Sequence, residues 1–217
     1  MALFKYLEPA WAERMMKLGS VRIGTLYDFR RIESHGKERG DEEEGVRVSI
    51  TDGKAGFIGG ERLPWFVRES LPPVDGITFR FAEGAFLEVH QTAPDAYVYC
   101  TCSKFDASIM ERFGGACIEI VDPGQFFAAI TRALDGWTSG GVRRVSSLRV
   151  ATCQYVAREQ TWPNVLRYEP VFRKPPEYAY QCEVRAVWDT SLTRLVPLNL
   201  TVPDIRKWCR RIASLAA

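Results

Sequence analysis

The stretch Tyr97-Val98-Tyr99-Cys100-Thr101-Cys102-Ser103 decides the fold class that the sequence predicts. It is an aromatic and β-branched run that ends in a polar turn, which is typical of a strand. Strand-like stretches before it are separated by Gly, Pro and Asp, and they lie at 46–50, 56–58, 77–81 and 86–90. Because strands outnumber helices and do not alternate regularly with them, we expect an α+β fold with a mixed or antiparallel central sheet flanked by a few helices.

Capping signals predict where the helices begin and end. Glu and Asp before an early Pro favour helices over 8–18, with Gly19 as its stop, and over 122–134. A short helix is expected near 106–113. An amphipathic helix is expected from Pro203 onward, and a long strand with mixed polar and apolar faces from 177 to 188. Neither a sequence repeat nor a long linker is present, so residues 1–217 are predicted to be one compact domain.

Composition limits the classes of protein to which the chain can belong. Hydrophobic residues make up 46% of the 217 and charged residues 26%, which is typical of a globular protein and not of a disordered one. The net charge of +2 does not by itself indicate nucleic-acid binding. No apolar run approaches the ~20 residues that a bilayer requires, and the start resembles no signal peptide. We therefore expect a cytoplasmic protein with no membrane partner.

The six cysteines are predicted to be free thiols and not metal ligands. Four stand singly within apolar segments, where Cys acts as a small hydrophobic residue. Cys100 and Cys102 form a C-x-C pair, but no second pair follows at the spacing of zinc ligands, so we expect no metal site.

The segment 34–45 is dense in charge and holds four consecutive acidic residues, 41–44, together with three glycines. Like charges in a row repel one another, and glycine adds backbone freedom. The segment is therefore predicted to be an exposed, mobile loop.

The most informative polar pattern is Gln181, Glu183 and Arg185. Residues two apart in a strand share a face, so the three side chains are expected to project together. One interpretation is an ordinary solvated surface, with Glu183 and Arg185 forming an exposed pair worth under ~1 kcal/mol. The other interpretation is a functional site. The glycine-rich nucleotide fingerprint, the P-loop and the hydrolase and zinc-protease motifs are all absent, however.

Three motifs in order resemble the prokaryotic DUF2971 family. Leu3-Phe4-Lys5-Tyr6, followed by a helix and Arg22-Ile23-Gly24-Thr25-Leu26, is similar to the start of that family, and 29–33 falls where it has a Phe-Asn-Asp-Pro segment. The central pattern resembles 100–103 and 113–120, and the closing one resembles Lys174, Tyr178 and 181–185. The closing motif has Gln181 where the family pattern has Glu.

A looser resemblance, to ADP-ribosyltransferases, implies a chemistry and a possible fold. Those enzymes cleave the nicotinamide glycosidic bond of NAD through an oxocarbenium-like transition state, which a carboxylate can stabilise. The resemblance implies that Glu183 supplies this carboxylate and that Gln181 holds the acceptor. Ser103 would support the glutamate or the nicotinamide ribose by hydrogen bonding.

The same resemblance implies which residues bind the dinucleotide. Thr101 would assist Ser103, while Lys5 and Tyr6, in place of the Arg or His usual on the first strand, would lie near the dinucleotide. Arg22 and Arg185 are both candidates for the pyrophosphate. The ligand implied is NAD, used as a substrate.

Three functions follow as hypotheses. The first is an NAD-dependent ADP-ribosyltransferase, a toxin or anti-phage effector that modifies a protein or a nucleic acid. The second is a non-catalytic interaction module. A metal-dependent nuclease built on Glu33, Asp41 and Glu44 ranks third, because these carboxylates crowd into a glycine-rich loop. The sequence identifies neither the acceptor nor the oligomeric state.

Overall fold

Eight strands pair into a central sheet in which all pairings are antiparallel. The computed structural model describes residues 1–31, 41–52, 56–73, 76–136 and 145–214. In this part of the chain the fold is a compact α+β arrangement, which confirms the predicted class and the antiparallel option. No described helix combines the length and the apolar character that crossing a lipid bilayer requires.

The regular elements are numbered in chain order. The strands are β1 (Leu3–Leu7), β2 (Ser20–Thr25), β3 (Val46–Asp52), β4 (Gly56–Gly59), β5 (Thr78–Phe81), β6 (Phe86–Thr92), β7 (Tyr97–Cys102), β8 (Ala116–Ile120), β9 (Ser147–Thr152), β10 (Gln154–Tyr155), β11 (Glu159–Thr161), β12 (Arg173–Lys174), β13 (Glu183–Asp189), β14 (Leu198–Thr201) and β15 (Cys209–Ser214). The α-helices are α1 (Pro9–Leu18), α2 (Trp65–Ser70), α3 (Ala107–Arg112) and α4 (Pro123–Asp135).

Strand β7 (Tyr97–Cys102) lies at the centre of the sheet. One edge pairs with β13 along its whole length, from Glu183 opposite Cys102 to Trp188 opposite Tyr97. The other edge is shared by two strands, since β2 pairs only near Val98 and β1 only at Cys102. Two arms of the sheet, β2–β14 and β1–β8–β15, therefore diverge from this edge and leave a wedge between them.

Helices α1 and α4 contribute buried side chains to the main hydrophobic core. Helix α1 ends at Gly19, whose φ of 72° lies in the left-handed region that glycine adopts without strain. The side chains of Asp106 and Asp122 cap α3 and α4 by accepting backbone N–H groups. The three predicted helices are confirmed at these positions.

Two predicted elements are wrong. The expected strand over 177–188 begins only at Glu183, because the two prolines at 175 and 176 lead into a 3₁₀ helix, Pro176–Gln181. Cys182 follows with φ 45°, which breaks the extended backbone. The expected helix after Pro203 is a 3₁₀ turn, Pro203–Trp208, which leads into β15, where the chain covers the free edge of β8.

A smaller layer packs beside the central sheet. Strands β11, β3 and β6 form a three-stranded sheet, and β4 pairs with β5 in a hairpin. Helix α2 supplies buried side chains to a separate hydrophobic cluster with half-buried residues of β4, β5 and β6. The layer places one face of β3 against the rest of the protein, so Arg47, Ser49 and Thr51 are buried.

The charged segment 34–45 is described only from Asp41 onward, and its residues 34–40 lie outside the described residues. Asp41 and Glu44 are buried, so the expectation of an exposed loop is wrong for these two positions. Arginines explain the difference, because Asp41 pairs with Arg158 and Glu44 pairs with Arg185. The charges that were expected to repel are neutralised by partners more than 100 residues away in the sequence.

Candidate functional site

A cavity of about 210 Å³ is lined by residues of both diverging arms and of β7. The pairing registers leave 99–101 of β7 between the arms, without a partner from either arm. Lys5 of β1 reaches this gap, and its Nζ donates to the carbonyl of Cys100 at 2.8 Å. The same ammonium lies 4.5 Å from the centroid of the Tyr99 ring. The divergence of the strands thus creates the cavity and places a cation beside it.

Buried ion pairs form one wall of the cavity. Glu183, the first residue of β13, accepts from Lys174 Nζ at 2.6 Å through one carboxylate oxygen and from Arg185 Nε at 2.6 Å through the other. These three side chains are at most 5% exposed. Both carboxylate oxygens of Glu183 therefore have charged partners, and the three side chains are shielded from solvent.

The network extends in two directions. Arg185 donates to both carboxylate oxygens of Glu44, at 2.7 and 3.0 Å, which anchors the end of the acidic segment beneath the sheet. Lys174 also donates to Gln181 Oε1 at 2.7 Å. Two acids and two bases thus meet in one buried cluster, with an amide at its edge. The interpretation of Glu183 and Arg185 as an exposed surface pair is wrong.

The cluster fixes the ionisation of its members. Burial raises the pKa of Glu183, but the charges of Arg185 and Lys174 and their hydrogen bonds outweigh it and hold the pKa below its ordinary value. Burial lowers the pKa of Lys174, and the charge of Glu183 outweighs this, so the pKa lies above its ordinary value. At neutral pH Glu183 is a carboxylate and Lys174 an ammonium, so neither is poised to exchange protons as a general acid or base.

Cations and aromatic rings form the rest of the lining. Arg22 of β2 is partly exposed, and its Nη2 donates to Asp28 at 2.8 Å. Trp11 of α1 and Phe29 are half-buried and line the same cavity. Phe29 packs directly on Gly24, where a Cβ would lie 2.9 Å from its ring. Overall, four cationic and two acidic side chains line the cavity, which gives it an excess of positive charge.

The structure brings most of the predicted site residues together. Those that line the cavity are Lys5, Tyr6, Arg22, Gln181, Glu183 and Arg185. Thr101 and Ser103 do not line it. Thr101 Oγ1 donates to the carbonyl of Val184 at 3.0 Å, and Ser103 Oγ donates to the carbonyl of Cys182 at 3.2 Å. Both hydroxyls bind the backbone next to Glu183 and not its carboxylate, so the hydrogen bond that Ser103 was expected to give the glutamate side chain is not formed.

Tyr6 has a positioning contact within the fold. Its hydroxyl donates to the carbonyl of Lys104 at 3.0 Å and accepts the backbone N–H of Asp106 at 2.6 Å. Burial raises the pKa of Tyr6 above its ordinary value, so the phenol stays protonated. It ties β1 to the turn that precedes α3.

The sequence does not place several of the lining residues in this site, among them Lys174, Glu44, Trp11 and Phe29. Lys174 enters only through the closing motif, and Glu44 only as part of the charged segment and the nuclease hypothesis. No local signal marks Lys174 as buried, because its contacts with Gln181 and Glu183 depend on the turn that follows Pro176.

The thiol of Cys100 borders the cavity in a buried setting. Cys100 lines it, and burial, followed by the charge of Glu183, raises its pKa to about 12. A thiol with that pKa is protonated at neutral pH and is a poor nucleophile. Across the described residues, no three His, Cys, Asp or Glu side chains are grouped as metal ligands would be.

No family model, curated protein or solved structure matches the chain. The resemblances to the DUF2971 family and to ADP-ribosyltransferases therefore stay predictions, carried by the motifs quoted above.

Proposed function

We propose that the protein binds a nucleotide-class ligand in the cavity between β1 and β2, and that this ligand is NAD. The observation that carries the proposal is the combination of excess positive charge with aromatic walls in one concave site. Phosphate groups bind to positively charged side chains, and nucleobases stack on aromatic rings.

The buried cluster contributes little net charge to the cavity. Glu44 and Glu183 are compensated within it by Arg185 and Lys174, so its own net charge is close to zero. Lys5 and Arg22 are the two other cations of the lining, and Arg22 is held by Asp28, which lies outside the lining. A guanidinium and an ammonium on the two diverging arms can approach a pyrophosphate from two sides. These residues are also two of those that the sequence predicted to bind the dinucleotide.

The size of the cavity limits how much of the ligand it encloses. Sites for small molecules are typically ~300–1,000 Å³. The volume of about 210 Å³ therefore accommodates one end of a dinucleotide, while the remainder extends past Arg22 toward solvent. The half-buried rings of Trp11 and Phe29 offer stacking surfaces for a nicotinamide or adenine ring.

Calorimetric titration tests the binding proposal. We expect NAD and ADP to bind, and adenosine, which lacks phosphates, to bind far more weakly. Arg22→Gln removes one charge-assisted contact worth about 1.5 kcal/mol and should weaken NAD binding about tenfold. Lys17→Gln is the matched control, because Lys17 is exposed on α1 and does not line the cavity. Absence of NAD and ADP binding, or equal weakening in both variants, would contradict the proposal.

Cleavage of NAD by an ADP-ribosyltransferase mechanism is the second candidate. One observation favours it: Glu183 is an ionised carboxylate in the cavity wall, with Gln181 beside it. Two cations already compensate this carboxylate, and catalysis requires a group that stabilises the transition state more than the bound ground state. Binding is therefore proposed first and cleavage second. The acceptor would be a protein or a nucleic acid.

Nicotinamide release separates the two proposals. The protein is incubated with NAD and a cell lysate, and mass spectrometry measures free nicotinamide and ADP-ribose added to macromolecules. The paired variant Lys174→Met/Glu183→Gln removes one charge of each sign, so the buried cluster stays balanced. We expect it to fold and to release nicotinamide at least about a hundredfold more slowly than the wild type. A wild type that binds NAD but releases no nicotinamide would refute cleavage and leave binding intact.

The nuclease alternative gains no supporting observation. Two of the carboxylates on which it depends, Asp41 and Glu44, are held in ion pairs with arginines, and Glu33 lies outside the described residues.

A further inference from the structure

A second cavity, of about 590 Å³, lies between the three-stranded sheet and the central sheet. Arg47 of β3 and Gln91 of β6 line it from one sheet, and Arg149 of β9 and Asp189 of β13 line it from the other. Its volume falls within the ~300–1,000 Å³ typical of small-molecule sites. It shares no lining residue with the cavity between β1 and β2.

Arg47 and Gln91 each present an unpaired polar atom. They are directly opposite each other in the antiparallel pairing of β3 with β6, so their side chains share a face. Arg47 Nε and Gln91 Oε1 are both buried and have no hydrogen-bond partner among the described residues. Buried polar atoms in native proteins are nearly always paired. The unpaired Nε–H donor of Arg47 and the unpaired Oε1 acceptor of Gln91 indicate a ligand with an acceptor for the first and a donor for the second.

The positive charge of Arg47 is poorly compensated. Arg47 is only 4% exposed, and within the described ranges its side chain donates to the carbonyl of Tyr168 at 3.2 Å but forms no ion pair. Burial lowers the pKa of Arg47, and the charge of Glu69 partly offsets this. Burial and then the charge of Arg47 lower the pKa of buried Arg173 to about 10. Two buried cations repel each other here, which an anion would relieve.

Trp65 fixes the orientation of the cations. The guanidinium carbon of Arg47 lies 4.6 Å from the centroid of its ring, and that of Arg167 lies 5.0 Å from it. A guanidinium held against an indole keeps its N–H groups in a fixed plane, which suits bidentate binding of an oxyanion. Arg167 is exposed and can supply a second cation to the same ligand.

The opposite wall adds no further positive charge. Arg149 is engaged by Asp189 and Glu169, with Nε donating to Asp189 at 3.0 Å. Three arginines and three carboxylates line the cavity, and two of the carboxylates engage Arg149. At the other end Arg47 and Arg167 face Glu69 alone, so the local excess of positive charge lies there.

We propose that this cavity binds a small oxyanion that carries a neighbouring hydroxyl or amino group. The anionic oxygens accept from Arg47 Nε, and the neighbouring group donates to Gln91 Oε1. Phosphate esters and hydroxy-carboxylates share this chemistry, and the experiment distinguishes them.

The test follows the Nε–H resonance of Arg47 by nitrogen-15 NMR on the full chain, with the resonance identified by its loss in Arg47→Lys. Glycerol 3-phosphate, glycerate and neutral glycerol are titrated separately. We expect a saturable shift with one or both anions and none with glycerol, and the tighter anion identifies the source. If neither anion shifts the resonance, or if glycerol shifts it equally, the proposal is overturned.

Gln91→Leu provides a second readout that does not require removal of a buried charge. Loss of the acceptor should weaken binding of the effective anion about tenfold, which corresponds to about 1.4 kcal/mol. Arg62→Lys, an exposed change in the same layer outside the cavity, should leave binding unchanged. If Gln91→Leu and the wild type bind the anion with equal affinity, the proposed hydrogen bond from the ligand to Gln91 Oε1 is overturned.

Discussion

Glu183 is the residue on which the largest stability effect is predicted. Glu183→Gln leaves Lys174 and Arg185 buried with one carboxylate fewer, and breaking a buried ion pair typically costs ~3–5 kcal/mol. This exceeds the ~1 kcal/mol expected of an exposed pair, because Glu183 and Arg185 are both buried. Urea unfolding measures the free energy of unfolding of each variant.

Glu13→Gln is the matched control for that substitution. Glu13 pairs with Lys17 on the exposed face of α1, with side chains 55% and 70% exposed, so a change under ~0.5 kcal/mol is expected. Equal effects of the two substitutions would show that the Glu183 cluster does not stabilise the fold.

The pH dependence of stability follows from the same cluster. The pKa of Glu183 is lower in the folded chain than its unfolded value of ~4.3, so its contribution is present above that pH and is lost as pH falls through the folded pKa. The pKa of Lys174 is raised, so its contribution is complete below ~10.4 and is lost only as pH rises through the folded pKa. The cluster therefore stabilises fully from about pH 5 to about pH 10.

Urea unfolding near neutral pH and at about pH 3 checks this window. The wild type should lose more stability on acidification than Lys174→Met/Glu183→Gln, which lacks the pair. Identical losses would show that another carboxylate controls acid unfolding.

Sequence spacing identified the polar side chains of the site but not their environment. The two-residue period correctly grouped Glu183 with Arg185, since both lie on β13 and contact each other. It could not show that Glu44 and Lys174 reach them from other elements, because those contacts depend on the packing of residues distant in sequence. Without knowledge of these contacts, an exposed ion pair was the simpler interpretation of Glu183 and Arg185.

At the scale of elements, the end of α1 offers a sharp test. A Cβ at Gly19 would lie 2.2 Å from the carbonyl oxygen of Val202, and the φ of 72° is itself unfavourable for other residues. Gly19→Ala should therefore destabilise the protein by more than the ~1–2 kcal/mol of the left-handed conformation alone.

Gly136→Ala is the comparison for Gly19→Ala. Gly136 also ends a helix, α4, but its φ is −66° and a Cβ would lie no closer than 3.4 Å to a neighbouring atom. Its effect should stay within about 1 kcal/mol. Thermal unfolding of the two variants measures the difference, and similar effects would contradict the close approach of Val202 to Gly19.

Local signals predicted the helices better than the late strands. Asp106, Asp122 and Gly19 carry capping information within a few residues, so the helix boundaries could be predicted. Strand β15 could not, because its extended conformation depends on pairing with β8, about 90 residues earlier in the chain. An amphipathic pattern alone favoured a helix there.

At the scale of the whole molecule, the branching of the sheet at β7 creates the candidate site. Two arms that share one edge must separate, and α1, which links β1 to β2, lines the resulting cavity through Trp11 and Met15. The fold class was predictable from the order of strand-like stretches. The branching of the sheet at β7 was not predictable, because strand order depends on long-range pairing that no local sequence pattern records.

Crystals of the protein grown with NAD would locate the ligand. We expect electron density for NAD between β1 and β2, with phosphate oxygens within hydrogen-bond distance of Lys5 or Arg22 and a ring of the ligand against Trp11 or Phe29. A bound NAD located elsewhere on the protein, or an empty cavity at saturating NAD, would contradict this expectation.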